Sequence, residues 1–344
     1  MLEKCLELNS TMLNYKKFLL DKNNIKFITI LFSWILVSVI IYTSGNFIKI
    51  NNKNSLAIND EPYRSYGSFE TDINRITKLY IVDSEKLLAN DLIKIFEKNN
   101  YEYENIIKYK KVPNIYISSL PKDLSKISSS KKKSLFIKSL LPLIIKENEK
   151  IISLNQRIRL LQSEFNQINR KDAVWLKKTL IEYKTNTMRV EDLLTKVDII
   201  PVSIALAQAA IESGWGTSRF SIEGNALYGQ WSWKKGSGIV PKERKKDENY
   251  EVKSFLSLGG SVESYMKNLN THPNYNNFRI NRALLRSHNI SISGLKLYEY
   301  LNAYAADDKY AETLLNVIEK NNLDQFENVS IHFIVTEETL LDLI

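Results

Sequence analysis

The pattern of apolar and polar positions changes character several times along the chain, and each change marks an element. Residues 27 to 43, FITILFSWILVSVIIYT, carry no charge and are apolar on every side. Continued through Gly45, Phe47 and Ile48, the run approaches the roughly 20 residues that cross a bilayer. Lys16, Lys17, Lys22 and Lys26 precede it against Lys49 and Lys53 after it, a bias that predicts a cytoplasmic amino terminus. The exit, Tyr42-Thr43-Ser44-Gly45-Asn46, is a poor cleavage site, so an uncleaved anchor is expected. This reading gives a cytoplasmic segment 1–26, a single transmembrane signal-anchor 27–48, and the rest of the chain outside the cytoplasm.

Residues 49–112 are polar and rich in Asn, Lys and Glu, with short apolar runs that predict a strand at 79–82 and a helix at 84–98 within a linker-like region. From Ser128 the period lengthens. Leu135, Phe136, Leu140, Leu141, Ile144 and Ile145, then Ile151, Ile158, Leu161 and Phe165, recur at helical intervals, and Pro142 is expected to kink or divide the helix. Gly236–Phe255 reads as a hairpin, with strands near 239–244 and 250–255 joined by the charged turn 245–249. A last helix is predicted at about 308–321 with Asp307 as its cap. The remaining residues, 324–344, form a tail whose strand-like Val329–Val335 can pack back on the domain.

The most informative helix lies between these. Pro201 suits a first helical position, alanines at 205, 207, 209 and 210 favour helix, and Gly214 and Gly216 allow the chain to leave it. Glu212 falls in its last turn, on the side shared with Gln208 and Ala205 and next to the apolar stripe Val202, Leu206, Ala209. A carboxyl buried among such small neighbours has its charged form disfavoured, the usual route from a glutamate to a general acid. A solvated glutamate is the competing reading of the same spacing.

Composition narrows the partners. At 344 residues and 44% hydrophobic the chain is long enough for one substantial core, and 11 glycines and 7 prolines are too few for a loop-dominated protein. The formal charge of +9 follows a Lys-rich composition without any aromatic-interleaved basic motif, so no nucleic-acid partner is expected. The single cysteine, Cys5, excludes an internal disulfide, and no CxxC motif, histidine cluster or phosphate-binding glycine loop is present. No metal and no cofactor are implied. His272, just before Pro273, reads as a turn-packing residue.

Ser213-Gly214-Trp215-Gly216-Thr217-Ser218, Glu223-Gly224-Asn225 and Tyr228-Gly229-Gln230-Trp231 resemble the catalytic segment of the lysozyme-like endo-β-N-acetylglucosaminidases, and most closely the bacterial Bax-type proteins of that superfamily. The similarity continues downstream through Tyr265-Met266-Lys267-Asn268-Leu269-Asn270-Thr271-His272-Pro273 and Tyr304-Ala305-Ala306-Asp307 with Tyr310-Ala311. Upstream it includes Leu120-Pro121, Phe136 to Pro142, and Asn148. It covers residues 113–323, which are expected to form the catalytic domain: mainly α, lysozyme-like (α+β), with a small β-hairpin.

The resemblance implies a peptidoglycan hydrolase that cleaves the β-1,4 bond after N-acetylglucosamine; with the apolar run at 27–48 it is expected to be single-pass in the inner membrane with its catalytic domain in the periplasm. Glu212 is then the proton donor. In that superfamily a second acidic residue on a comparable hairpin assists, and Glu243 and Glu251 both remain candidates; the substrate's own N-acetyl group is the alternative to either. A tyrosine lining the site is implied at Tyr304 first and Tyr310 second. Sugar C–H faces pack on rings, which makes Trp215, Tyr228, Trp231 and Trp233 candidate cleft residues, with Asn225 and Tyr310 beside them as substrate contacts. A lytic transglycosylase using the same glutamate and a catalytically silent glycan-binding scaffold are the competing functions.

Overall fold

The computed structural model describes residues 80–82, 87–163, 167–245 and 247–332. The anchor at 27–48, the segment before it, Cys5 and Phe165 lie outside the described residues. Within them the chain is mainly helical with small sheets. No helix among the described residues is long and apolar enough to cross a membrane.

The order is β1 (Tyr80–Val82), α1 (Ala89–Lys98), α2 (Tyr103–Tyr109), β2 (Lys111–Pro113), β3 (Ile115–Ile117), α3 (Ser129–Ser163), α4 (Arg170–Glu182) and α5 (Val190–Lys196). Then come α6 (Val202–Ser213), α7 (Arg219–Gly224), β4 (Trp231–Ser232), β5 (Gly238–Ile239), β6 (Glu251–Lys253), α8 (Leu258–Thr271), α9 (Asn276–Ser287), α10 (Gly294–Leu297), α11 (Tyr310–Lys320) and β7 (Ser330–His332). β1 pairs parallel with β3 and β2 parallel with β7, two small pairings that the hydrophobic pattern did not reveal.

α6 is the centre of the described fold. Every residue from Val202 to Ala210 is buried, because α3, α10, α11 and the 3₁₀ turn Leu323–Phe326 pack around it. A helix enclosed on all sides needs residues that let neighbours approach, and its alanines supply that. Its start is held at two points. The Asn148 amide of α3 bonds the Ile200 backbone in both directions, at 2.8 and 3.0 Å. Glu327 accepts from Val202 N and the Ser203 hydroxyl, and also from Gly294 N.

Four expectations change. α3 runs unbroken from Ser129 to Ser163 with Pro142 inside it. The carbonyl that Pro142 leaves without an intrahelical donor, Lys138 O, accepts instead from the buried Tyr101 hydroxyl at 3.1 Å, and this removes one reason for the helix to divide. Of the helix expected at 84–98, Ala89–Lys98 is helical and residues 87 and 88 are not, while 84–86 lie outside the described residues. The expected hairpin reduces to an antiparallel three-stranded sheet in the order β4-β6-β5, with residues 240–245 and 247–250 outside any strand. Packing also crosses the boundaries drawn from the sequence. Leu92, Phe96, Tyr101 and Ile106 on one side of 113–323, and Phe326 and Val329 on the other, share one buried cluster with α6.

Candidate active site

The end of α6 shows why Ser-Gly-Trp-Gly follows Glu212. Gly214 caps the helix at φ 58°, Trp215 continues at φ 58° and Gly216 at φ 79°, left-handed backbone that the two glycines, though not Trp215, adopt without strain. The Ser213 hydroxyl donates to Ala209 O at 2.6 Å and accepts from Gly216 N at 2.8 Å, which ties the turn back to the helix. Gly216 also packs where a side chain cannot fit: a Cβ there would stand 2.4 Å from Leu120 Cδ1 and 2.9 Å from Phe136 Cδ2. The upstream motif residues Leu120 and Phe136 are therefore the wall against which the turn closes.

Glu212 is half-buried, and that burial pushes its pKa above the ordinary glutamate value; a hydrogen bond from Tyr310 pulls partly the other way. Tyr310 Oη donates to Glu212 Oε1 at 3.0 Å. The second oxygen, Oε2, faces Gly229, where an added Cβ would lie 3.3 Å away. Tyr265, from α8, stacks on Tyr228 at 3.7 Å between ring centroids, and Tyr304 stacks on Tyr310 at 5.5 Å. Tyr304 Oη donates to Tyr228 O at 2.9 Å, joining the two stacks. Tyr265, Tyr275, Tyr304 and Tyr310 all have pKa values raised by burial first and by the nearby Glu212 charge in addition. The acid thus sits in a wall of neutral phenols.

The sheet departs from this wall two residues after Gly229. Trp231 and Trp233 are 52% and 75% exposed, and Trp231 meets Tyr250 edge-on at 4.6 Å, so both indoles can meet a ligand without rearrangement. Glu251 faces inward: its two oxygens accept Gly236 N at 3.0 Å and Gly238 N at 2.9 Å, and these backbone bonds hold its pKa below the usual value. Glu243 lies exposed in the loop beyond β5.

The candidate residues therefore divide. Glu212 and Tyr310 touch, and Tyr304 and Tyr228 support them, so the tyrosine in contact with the acid is Tyr310 and not Tyr304. Asn225 is buried in the left-handed cap of α7, its amide donating to Phe255 O at 3.2 Å. Trp215 packs edge-on against Phe136 at 5.7 Å and carries Lys133 over its ring at 4.7 Å. His272 accepts from Asn274 N, as a turn residue does. Tyr265 and Tyr275 are site residues that sequence reasoning did not single out, although Tyr265 stands in the motif that carried the resemblance. An open cleft of ≈ 540 Å³ elsewhere, lined by residues of α3, α4, β6 and α8, does not include Glu212; Lys267 and Glu182, paired at 2.6 Å, both line it.

Residues 188–323 match the glucosaminidase family model, described as mannosyl-glycoprotein endo-β-N-acetylglucosaminidase. Protein bax of Escherichia coli (strain K12) is 33% identical over 213 residues, 60% of this chain and 75% of that protein. The exo-glucosaminidase LytG of Bacillus subtilis (strain 168) is 25% identical over 144 residues, covering 40% of this chain and half the length of LytG. Among solved structures, the catalytic domain of the autolysin Auto from Listeria monocytogenes aligns with a TM-score of 0.34 and 18% identity, over 58% of this chain and 90% of that domain. With a third of its aligned residues shared with bax across most of that protein, and the glucosaminidase model matched over the helix of Glu212 and the tyrosine wall, the chain belongs to the glucosaminidase family of glycoside hydrolases, in its Bax-type branch.

Proposed function

We propose that this protein cleaves the β-1,4 bond after N-acetylglucosamine in peptidoglycan, with a lysozyme-like domain in the periplasm tethered to the inner membrane through residues 27–48. Glu212 gives its proton to the bridging oxygen as the C1–O bond breaks, and the positive charge that develops on the sugar ring is then quenched by a nucleophile. The observation that carries the reading is the state of Glu212: half-buried, raised in pKa by desolvation, with Oε1 held by Tyr310 and Oε2 toward the glycine beside the exposed tryptophans. Trp231 and Trp233 supply ring faces for the sugar.

General acid assistance is worth roughly a hundred- to ten-thousand-fold in rate, so Glu212→Gln is expected to lose that much turnover on purified cell-wall glycan while the protein keeps its Tm. Undiminished turnover in this variant refutes the proposal.

One observation favours a second reading. Glu251 has both oxygens engaged by backbone amides and Glu243 is exposed, so neither is poised as the second carboxylate of a two-carboxylate hydrolase. A lytic transglycosylase, or hydrolysis assisted by the substrate's N-acetyl group, needs only Glu212. Mass spectrometry of the released ends separates these products: hydrolysis adds one water per bond broken, and transglycosylation leaves an anhydro sugar.

A further inference from the structure

We propose that Gln208 is a positioning residue which commits the Tyr310 hydroxyl to donate to Glu212 Oε1, and thereby places the transferable proton on Oε2. The inference rests on the reading of Glu212 as the acid. It starts from three hydrogen bonds that run in one direction. Tyr265 Oη donates to Gln208 Oε1 at 2.6 Å, Gln208 Nε2 donates to Tyr310 Oη at 3.0 Å, and Tyr310 Oη donates to Glu212 Oε1 at 3.0 Å.

A phenol has one proton to give. Because the Gln208 amide already donates to the Tyr310 oxygen, the Tyr310 proton must point elsewhere, and Glu212 Oε1 is the acceptor in reach. In the arrangement found, the amide oxygen receives Tyr265 and its nitrogen faces Tyr310. Turning it over would reverse the whole chain: Tyr310 would donate to Gln208, and Glu212 would have to keep its own proton on Oε1, directed at Tyr310 and away from the oxygen that faces Gly229. The direction of the relay is therefore what decides which oxygen is the acid. Gln208 is fully buried and cannot exchange these partners for bulk water, and hydrogen bonds linked in series strengthen one another in such surroundings. Among the described residues no charged group competes at the site: the ionisable groups that sense Glu212 are Tyr265 of α8, Tyr275, Tyr304 and Tyr310 of α11, all held neutral by burial.

The test uses the full-length protein with ¹³C-labelled glutamate carboxyls, the Glu212 signal being assigned by its loss in Glu212→Gln. Gln208→Met keeps the length of the side chain and removes both amide functions. The Glu212 titration is expected to move to higher pH in Gln208→Met, with kcat on cell-wall glycan falling roughly tenfold at little change in KM. On a Tyr310→Phe background the same substitution is expected to shift nothing further. Tyr265→Phe, which frees the amide to turn, is expected to move the titration in the same direction and serves if Gln208→Met does not fold. An unmoved Glu212 titration in either folded variant, or a full shift that persists without the Tyr310 hydroxyl, overturns the inference. Full activity in Glu212→Gln would instead remove the acid reading, and the carboxyl titrations would still decide whether Gln208 governs Tyr310.

Discussion

The Tyr310 hydroxyl reaches Glu212 Oε1 at 3.0 Å across 98 residues of chain, so the Glu212 carboxyl of α6 is tuned by the first residue of α11. This bond stabilises the ionised carboxyl and opposes the desolvation that raises its pKa. Removing it in Tyr310→Phe raises the pKa further. A general acid works protonated and fails as pH rises through its pKa, so the high-pH limb of the kcat profile is expected to move up. A bond to a charged group contributes about 1.5–3 kcal/mol, so kcat at the optimum should fall about 10- to 100-fold. Tyr304→Phe is the control: its hydroxyl serves Tyr228 O, and the limb should stay in place. Equal limb shifts in the two variants would show that Tyr310 has no special link to the acid.

Glu251 is expected to act as a latch for the sheet and not as an acid or base. Its pKa is lowered, by the Gly236 amide first and the Gly238 amide after it, so its contribution is present above the ordinary glutamate range and is lost as pH falls through the lowered folded value. Hydrogen exchange in residues 231–253 should therefore quicken in Glu251→Ala at neutral pH, and in the wild type only under strongly acid conditions. Glu243→Ala should leave exchange in that segment unchanged. If Glu251→Ala loses kcat with no change in exchange, the carboxylate has a chemical role instead.

How much of this was legible in the sequence depends on how local each constraint is. The turn after Glu212 could be read directly, because Gly214 and Gly216 meet backbone demands set within a few residues. The sheet could not. Its strands shrink to two or three residues because the intervening loop takes bonds from side chains: Arg244 donates to Tyr250 O and Arg219 to Val240 O, contacts that alternation does not encode. The tyrosine wall is harder still, since Tyr228, Tyr265, Tyr275, Tyr304 and Tyr310 come from separate segments. Tyr304 and Tyr310 lie six residues apart, and only the change from a 3₁₀ turn to α11 decides which one meets Glu212. That Pro142 does not divide α3 was hidden for a related reason, because the donor that satisfies the freed carbonyl stands far upstream in the sequence.

Glu327 is expected to hold the start of α6. It accepts from Val202 N, Gly294 N and Ser203 Oγ in a buried setting, and Glu327→Ala leaves these donors without a partner. At about 1–3 kcal/mol for each such group, and allowing for relaxation, the loss should be about 2–4 kcal/mol, or roughly 5–15 °C in Tm. Burial raises the Glu327 pKa in spite of these bonds. Its contribution is therefore greatest below the ordinary glutamate range and declines as pH rises through the raised folded value, a slope that Glu327→Ala should remove. Thermal unfolding measured from acid to neutral pH checks both outcomes. An unchanged Tm would mean that the tail does not brace α6.

The continuity of α3 through Pro142 is expected to depend on Tyr101. A proline inside a helix leaves the carbonyl four residues back without a donor, and here the Tyr101 hydroxyl takes that place on Lys138 O. Tyr101→Phe should therefore cost about 1–3 kcal/mol, the penalty of a buried carbonyl left unpaired. Pro142→Ala restores an amide at position 142 and gives Lys138 O its intrahelical partner, so the cost of Tyr101→Phe should shrink on that background. The difference between the two costs, measured by chemical denaturation as a double-mutant cycle, is the coupling between the tyrosine and the proline. Equal costs with and without Pro142 would mean that the hydroxyl serves packing alone. A clear coupling would explain how α3 carries both Phe136, against which the turn after Glu212 closes, and Asn148, which fixes the start of α6, on one unbroken helix.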